Sequence, residues 1–148
     1  MFGFTYQIDN KLAPLQKDLA MYTSALDEID AVIMLADTTP ENKIFYMNRC
    51  AREFMSNNRT MMNQALVSGA DVGTAMHNSI HQFHRDPSRV KSLLQTLASG
   101  QVKEHKADIP VGDVLFQTKV SPIWDQNRQL ICFMAQFKDI SAEKKAQD

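Results

Sequence analysis

Three of the four histidines in this 148-residue chain lie close together, at His77, His81 and His84. Neutral imidazole is a ligand for transition metals and for haem iron, and it works best where the surrounding structure fixes the ring. His84 sits in Ile80-His81-Gln82-Phe83-His84-Arg85-Asp86-Pro87, directly ahead of a helix start. Asp86 suits the N-cap, and Pro87 suits the first helical position, where its missing N–H costs nothing. A turn tied to the helix behind it can hold His84 in one orientation, but the same arrangement suits a histidine that merely caps or salt-bridges near Asp86. His77 and His81 are four apart, a spacing that shares a helix face, and His84 follows by three, which invites a metal reading. No Glu stands between them as in H-E-x-x-H and few acids are near, so a zinc-dependent enzyme at His77, His81 and His84 ranks last. No Ser/His/Asp set, acid pair or Gly-rich phosphate loop is legible, so no catalytic residue is assigned and an enzyme is not expected. His105 falls on a polar strand and is expected to be exposed.

One domain is expected from the length, with room for a short appendage. A chain of this size buries roughly 68–70% of its unfolded surface, enough for a real core. The hydrophobic share of 44% and charged share of 22% are ordinary for a globular protein. A net charge of -1 argues against general nucleic-acid binding. No apolar run reaches the length of a membrane span, and the N-terminus lacks the pattern of a secretory signal. Cys50 and Cys132 sit in apolar surroundings and read as reduced core residues, so a cytoplasmic setting is expected. There is no C-x-x-C-H for covalent haem. The nine methionines suit a pliable core, including one that shifts around a ligand.

Leu12, Leu15, Leu19, Tyr22, Leu26 and Ile29 recur at steps of three and four, which places them in one stripe along a helix starting near Pro14. That stripe fits a helix lying on its own domain, or one pairing with the same helix of a second chain. The period then changes. Ala31 to Asp37 is a short continuous apolar run, read as a buried strand. Thr38-Thr39-Pro40-Glu41-Asn42 is turn chemistry, and Lys43 to Met47 is a second strand. Asn48 caps a helix through about Met55. Ser56 to Gly73 is polar and Gly-punctuated, and is expected to be irregular and mobile. Val90, Leu93, Leu94 and Leu97 mark the helix after Asp86, closed by Gly100. Three strands follow: Val102 to Ile109, Val114 to Ile123 and Leu130 to Lys138. The first two are joined by the turn Pro110 to Asp113, and the last two by the turn Asp125 to Arg128. Val114, Phe116, Thr118 and Val120 share one face of the second, and Ile131, Phe133, Ala135 and Phe137 one face of the third. Short turns make these antiparallel neighbours. Residues 142–147 form a polar, helix-prone exit.

This order resembles a PAS domain over nearly the whole chain. The likeness rests on Asp30 to Asp37, on Ile44-Phe45-Tyr46-Met47-Asn48, on Ser121-Pro122-Ile123-Trp124-Asp125, and on Asp139-Ile140-Ser141, which is similar to the family's D-I-T exit motif. The resemblance implies an α+β PAS fold: one five-stranded antiparallel sheet with helices packed on one face, walling a pocket, plus an N-terminal amphipathic helix. It implies three parts: 1–28 a dimerisation helix, 29–141 the sensor domain, and 142–148 the start of a signalling helix.

The finer resemblance is to PAS modules of bacterial methyl-accepting chemotaxis proteins, a subset of which are haem-containing oxygen chemoreceptors. In that subset an F-H-K/R-x-P run puts its histidine on iron, and His84 matches that position. The subset also carries a tryptophan two residues before the exit Asp, where this chain has Phe137, and Trp124 in the preceding turn is no substitute. A haem site built on this likeness would use His84 as iron ligand, with Phe83, Ile80, Leu94, Leu97, Phe116 and Phe137 covering the porphyrin. A LOV-type flavin site is similar only at Asn48-Arg49-Cys50, which lies in the wrong helix.

The expectation is a cytoplasmic sensory input module of a chemoreceptor, sensing oxygen, another gas or redox state through bound haem. It would be a homodimer through its leading helix, passing the change to a downstream domain of the same chain, without nucleic acid or membrane contact. The alternatives are a ligand-free dimerisation or protein-interaction module, and a PAS domain that binds another small molecule.

Overall fold

The apolar three–four stripe forms one long helix, α1 (Phe2–Asp27). It does not start near Pro14 as the spacing suggests; Pro14 lies inside it. A helical proline removes one ladder bond, and here residues 11–20 are all exposed, so water can take the freed carbonyl. The computed structural model describes residues 2–147, with side chains from 11 to 146.

Beyond α1 the chain forms β1 (Val32–Ala36), β2 (Ile44–Met47), α2 (Arg49–Asn57), α3 (Arg59–Ala65) and α4 (Pro87–Ala98). It continues with β3 (His105–Val111), β4 (Val114–Trp124), β5 (Leu130–Asp139) and α5 (Ser141–Gln147). The five strands make one antiparallel sheet in the order β2-β1-β5-β4-β3. Two apolar clusters fix the helices to one face. The larger joins Val32, Ile44 and Met47 of the sheet to Ala51 and Met55 of α2 and Met62 of α3. The smaller joins Leu94 and Leu97 of α4 to Phe133 of β5.

The sequence reading of β3 needs correction. The strand starts at His105, not Val102, and runs through Pro110 to Val111, leaving only Gly112 and Asp113 for the turn. Proline is tolerated because β3 is an edge strand. Gly112 takes a positive φ of 60, which a two-residue hairpin favours. Ile131, expected on the same face as Phe133, lies exposed near the bulge at Ile123/Trp124.

Residues 56–73 are also more ordered than their composition suggests. They hold the end of α2, all of α3 and a 3₁₀ turn, Val72–Thr74. The polar residues that read as loop chemistry are the cross-links. Arg59 donates to both carboxylate oxygens of Asp71. Asn63 donates to Asp71 at 3.0 Å and accepts from the Val72 N–H at 2.8 Å. A Cβ at Gly73 would come within 2.7 Å of the Arg59 guanidinium carbon, so a larger residue there would have to push the end of that side chain aside.

The join between α1 and the sheet runs through Asn48, whose exposure is 0%. It caps α2 as its sequence suggests, its Oδ1 accepting from the Ala51 N–H at 2.9 Å. The same oxygen accepts from the Ile33 N–H at 3.1 Å, and Nδ2 donates to the carbonyls of Leu26 at 3.1 Å and Ala31 at 2.9 Å. One amide therefore satisfies the end of α1, the start of β1 and the first turn of α2. Asn48→Ala would orphan several buried groups at once and should destabilise the domain by about 2–4 kcal/mol. The check is urea unfolding, where the midpoint should fall with the m-value unchanged.

Candidate functional site

Cross-strand register sorts the covered face of the sheet into rows, because directly paired residues point the same way. Ala36, Phe133 and Pro122 form one row, and all are buried. Val32, Phe137, Thr118 and Ala107 form another, in which Val32 and Thr118 are buried. Between them run Met34, Ala135, Val120 and His105. Met34, Ala135 and Val120 are only partly buried, and His105 is exposed. Ala135 lies on the central strand, so a residue there stays accessible only if the layer above it is incomplete. Met34 packs against the larger cluster and Val120 against the smaller, so this row is the partly buried seam where the two clusters meet. Shallow depressions among the described residues lie away from it, at Asp139–Lys145 and at Asp37–Lys43.

The segment that packs Ile80 against both clusters carries His84. Ile80–Phe83 forms a 3₁₀ turn, capped by the Ser79 hydroxyl accepting from the His81 N–H at 3.1 Å, and Ile80 packs against both clusters. His84 follows as the C-cap residue, its N–H bonding to the His81 carbonyl. Asp86 caps α4 as expected, accepting from the Arg89 N–H at 3.2 Å. His84 does not use its ring for capping or for an ion pair with Asp86; among the described residues nothing hydrogen-bonds that ring. By area the ring is exposed, yet desolvation lowers its pKa, with the nearby His81 adding to the effect. His84 is therefore a neutral imidazole with no hydrogen-bond partner among the described residues, and neutral imidazole is the form that binds a metal or haem iron.

His81, on the same turn, is held differently. Its Nε2 lies 2.9 Å from the Asn42 Oδ1. Asn42 donates from Nδ2 to the Asp37 carbonyl at 2.9 Å, so its oxygen faces His81 and the imidazole must donate from Nε2. That leaves Nδ1 unprotonated, buried and without a partner among the described residues. Burial, and then the charge of Lys91, lower the His81 pKa. His77 belongs to neither arrangement. It takes a positive φ of 68 outside any helix and is exposed, so the shared helix face expected for His77 and His81 does not form. Among the described residues no three His, Cys, Asp or Glu side chains gather to hold a metal ion.

The residues expected to cover a cofactor divide in two. Ile80, Phe83 and Phe137 are partly buried around the larger cluster, Ile80 reaching both. Leu94, Leu97 and Phe116 are spent on packing: Leu97 is 1% exposed, and Phe116 meets Phe54 edge-on with centroids 5.3 Å apart. Met34, Ala135 and Val120 escaped the sequence reading because only strand pairing puts them in one row. Asn42 escaped it too, since its link to His81 crosses 39 positions.

With this geometry in place, the chain can be compared with known proteins. No protein-family model matches it. It is 29% identical over 128 residues to the methyl-accepting chemotaxis protein McpB of Pseudomonas aeruginosa. That match takes in 86% of this chain but only 18% of the length of McpB. Among solved structures it is similar to the Aer2 receptor of Vibrio cholerae, a dual PAS-haem oxygen sensor. The TM-score is 0.60 and the identity 22%, over 74% of this chain and 94% of that one. It is also similar to a PAS domain from Colwellia psychrerythraea, with a TM-score of 0.53 and 15% identity over 84% and 98% of the two chains. The fold is PAS-like, α+β, and the chain is related in sequence to a segment of a chemoreceptor. Among the described residues no helix is long and apolar enough to cross a membrane.

The lowered His84 pKa has a measurable consequence. A base whose folded pKa lies below its unfolded value takes up its proton more readily when unfolded. Its stability contribution is whole above about pH 6.5 and is lost as the pH falls through the ordinary histidine range towards the lowered value. The unfolding midpoint of the protein should therefore drop on acidification in that window, and the drop should be shallower in His84→Ala.

Proposed function

We propose that this chain is the sensory PAS module of a chemoreceptor-type signal transducer, and that it responds to oxygen, another gas or redox state through haem ligated by His84. The observation that carries the reading is the neutral, partnerless imidazole of His84, which follows a turn whose Ile80 packs against both apolar clusters. The donor set fits the group: one imidazole without a competing bond, and an apolar surround from Ile80, Phe83, Phe137, Met34, Ala135 and Val120. The similarity to Aer2 of Vibrio cholerae, a PAS-haem oxygen sensor, and to McpB supports the same choice.

When bound, haem supplies an iron centre that takes a diatomic gas or changes redox state. The protein's part is to hold that iron through His84, to cover the ring with apolar side chains, and to keep water away from it. Phe137 has no donor, and the Thr118 hydroxyl in the same row is engaged with the Ala107 carbonyl at 3.1 Å. Neither side chain thus offers a free hydrogen bond to a bound gas. A response requires only that the ligated state favour a different arrangement of β5 and the residues beyond it.

A second reading concerns α1. Leu15 and Leu19 are each 64% exposed, and Leu12, Met21 and Tyr22 are exposed beside them. An uncovered apolar stripe of this length suits pairing with the same helix of a second chain. This supports a homodimer feeding a downstream signalling domain.

Two measurements test the proposal. Protein purified with added haem should show a Soret band that is lost in His84→Ala; a colourless wild-type protein would rule the haem reading out. Leu15→Glu with Leu19→Glu should halve the mass in solution without removing the Soret band.

A further inference from the structure

A ligating imidazole has a second nitrogen. Once His84 gives one ring nitrogen to a metal, the other carries a proton that needs an acceptor, and such an acceptor fixes the ring and raises its basicity. Among the described residues nothing accepts from the His84 ring. His81 has the complementary vacancy. Its Nε2 proton is taken by Asn42, so Nδ1 is a bare lone pair, buried and unpartnered. A buried polar atom left unsatisfied is costly, and calls for an explanation. The two residues are three apart: His81 lies within the 3₁₀ turn and His84 is its extended C-cap, joined to it by the bond from the His84 N–H to the His81 carbonyl.

We infer that His81 is the positioning partner of His84: its Nδ1 accepts the free N–H of the ligating imidazole, and Asn42 holds His81 in the tautomer that makes this possible. This rests on the haem reading above. The chain of bonds does not stop at Asn42. The same residue donates its amide to the Asp37 carbonyl and accepts the Ile80 N–H at its own carbonyl. The Ser79 hydroxyl reaches the Glu41 carbonyl. The turn between β1 and β2 is therefore clasped to the turn that presents His84. An accepting Nδ1 gives the ligating ring imidazolate character, which strengthens the iron–histidine bond and favours the ferric state.

The test compares wild type, His81→Leu, which removes the acceptor, and His81→Asn, whose amide oxygen can stand where Nδ1 was. Each is purified as the full chain with haem. The iron–histidine stretching frequency of the ferrous protein and the midpoint potential are read, alongside ¹⁵N spectra of the histidines in haem-free protein. The expected result is a Soret band in all three, with a lower stretching frequency and a higher potential in His81→Leu and values near wild type in His81→Asn. Haem bound through His84 with both readouts unchanged in His81→Leu overturns the inference and leaves the haem reading standing. A wild type that binds no haem ends the haem reading instead. The ¹⁵N spectra then decide this pair: a bare, unprotonated His81 Nδ1 keeps it as a device for another ligand, and a protonated Nδ1 overturns it. Should His81→Leu not fold, His81→Asn and the ¹⁵N spectra decide the same question.

Discussion

The buried amide of Asn48 is the interaction on which the geometry depends. Three backbone elements meet there with groups that no regular ladder can satisfy: the last carbonyls of α1, the entry of β1 and the first N–H groups of α2. A hydrocarbon at this point would leave those groups buried and unpaired, each at a cost of about 1–3 kcal/mol. Asp27 reinforces the join from the side of α1. Its carboxylate accepts from the Arg49 N–H at 2.8 Å and from the Tyr46 hydroxyl at 3.0 Å. Those bonds hold its pKa down despite the opposing effect of desolvation. With α1 and α2 pinned to β1 and β2, the larger cluster has a fixed wall, and α4 is left to close the other end of the sheet alone.

The seam between the clusters follows from that division. α4 has only one buried stripe, Leu94 and Leu97, and it covers Phe133. The wall of α2 and α3 covers Val32 and Met47. The row of Met34, Ala135 and Val120 falls between them, Met34 packed on the larger cluster and Val120 on the smaller, and stays only partly buried. Leaving apolar surface partly wet forgoes roughly 25 cal/mol for every Å² left uncovered.

Much of this was legible in the sequence, and what was missed shares one cause. Period-two alternation and turn residues located β4 and β5 to within a residue or two, and the caps at Asn48 and Asp86 are local devices that depend on neighbours three residues away. His84 was marked by the same local logic. Pro110 misled because proline breaks only a strand that must donate, and edge position is a property of the sheet. Pro14 misled in the same way, being read as a boundary when solvent can absorb its missing bond. The polar run from Ser56 to Gly73 looked irregular because the partner of Arg59 is twelve positions away, at the N-cap of the Val72–Thr74 turn. The partly buried row and the His81–Asn42 contact depend on strand register and on a link of 39 positions. Neither leaves a periodic trace.

The placement of entry and exit adds a final constraint. α1 is linked to the start of β1 through the Asn48 amide, and β1 pairs along its whole length with β5. β5 ends at Asp139, whose carboxylate accepts from the Ser141 N–H at 2.9 Å, and the Ser141 hydroxyl accepts from the Leu115 N–H of β4 at 2.9 Å. α1 and α5 are thus anchored to adjacent strands, β1 and β5, and those strands carry Met34 and Ala135 of the partly buried row. Any shift of β5 against β1 would act on both anchors through hydrogen bonds a residue or two from the helix ends, without a path through the packed clusters, whose close packing resists small displacements.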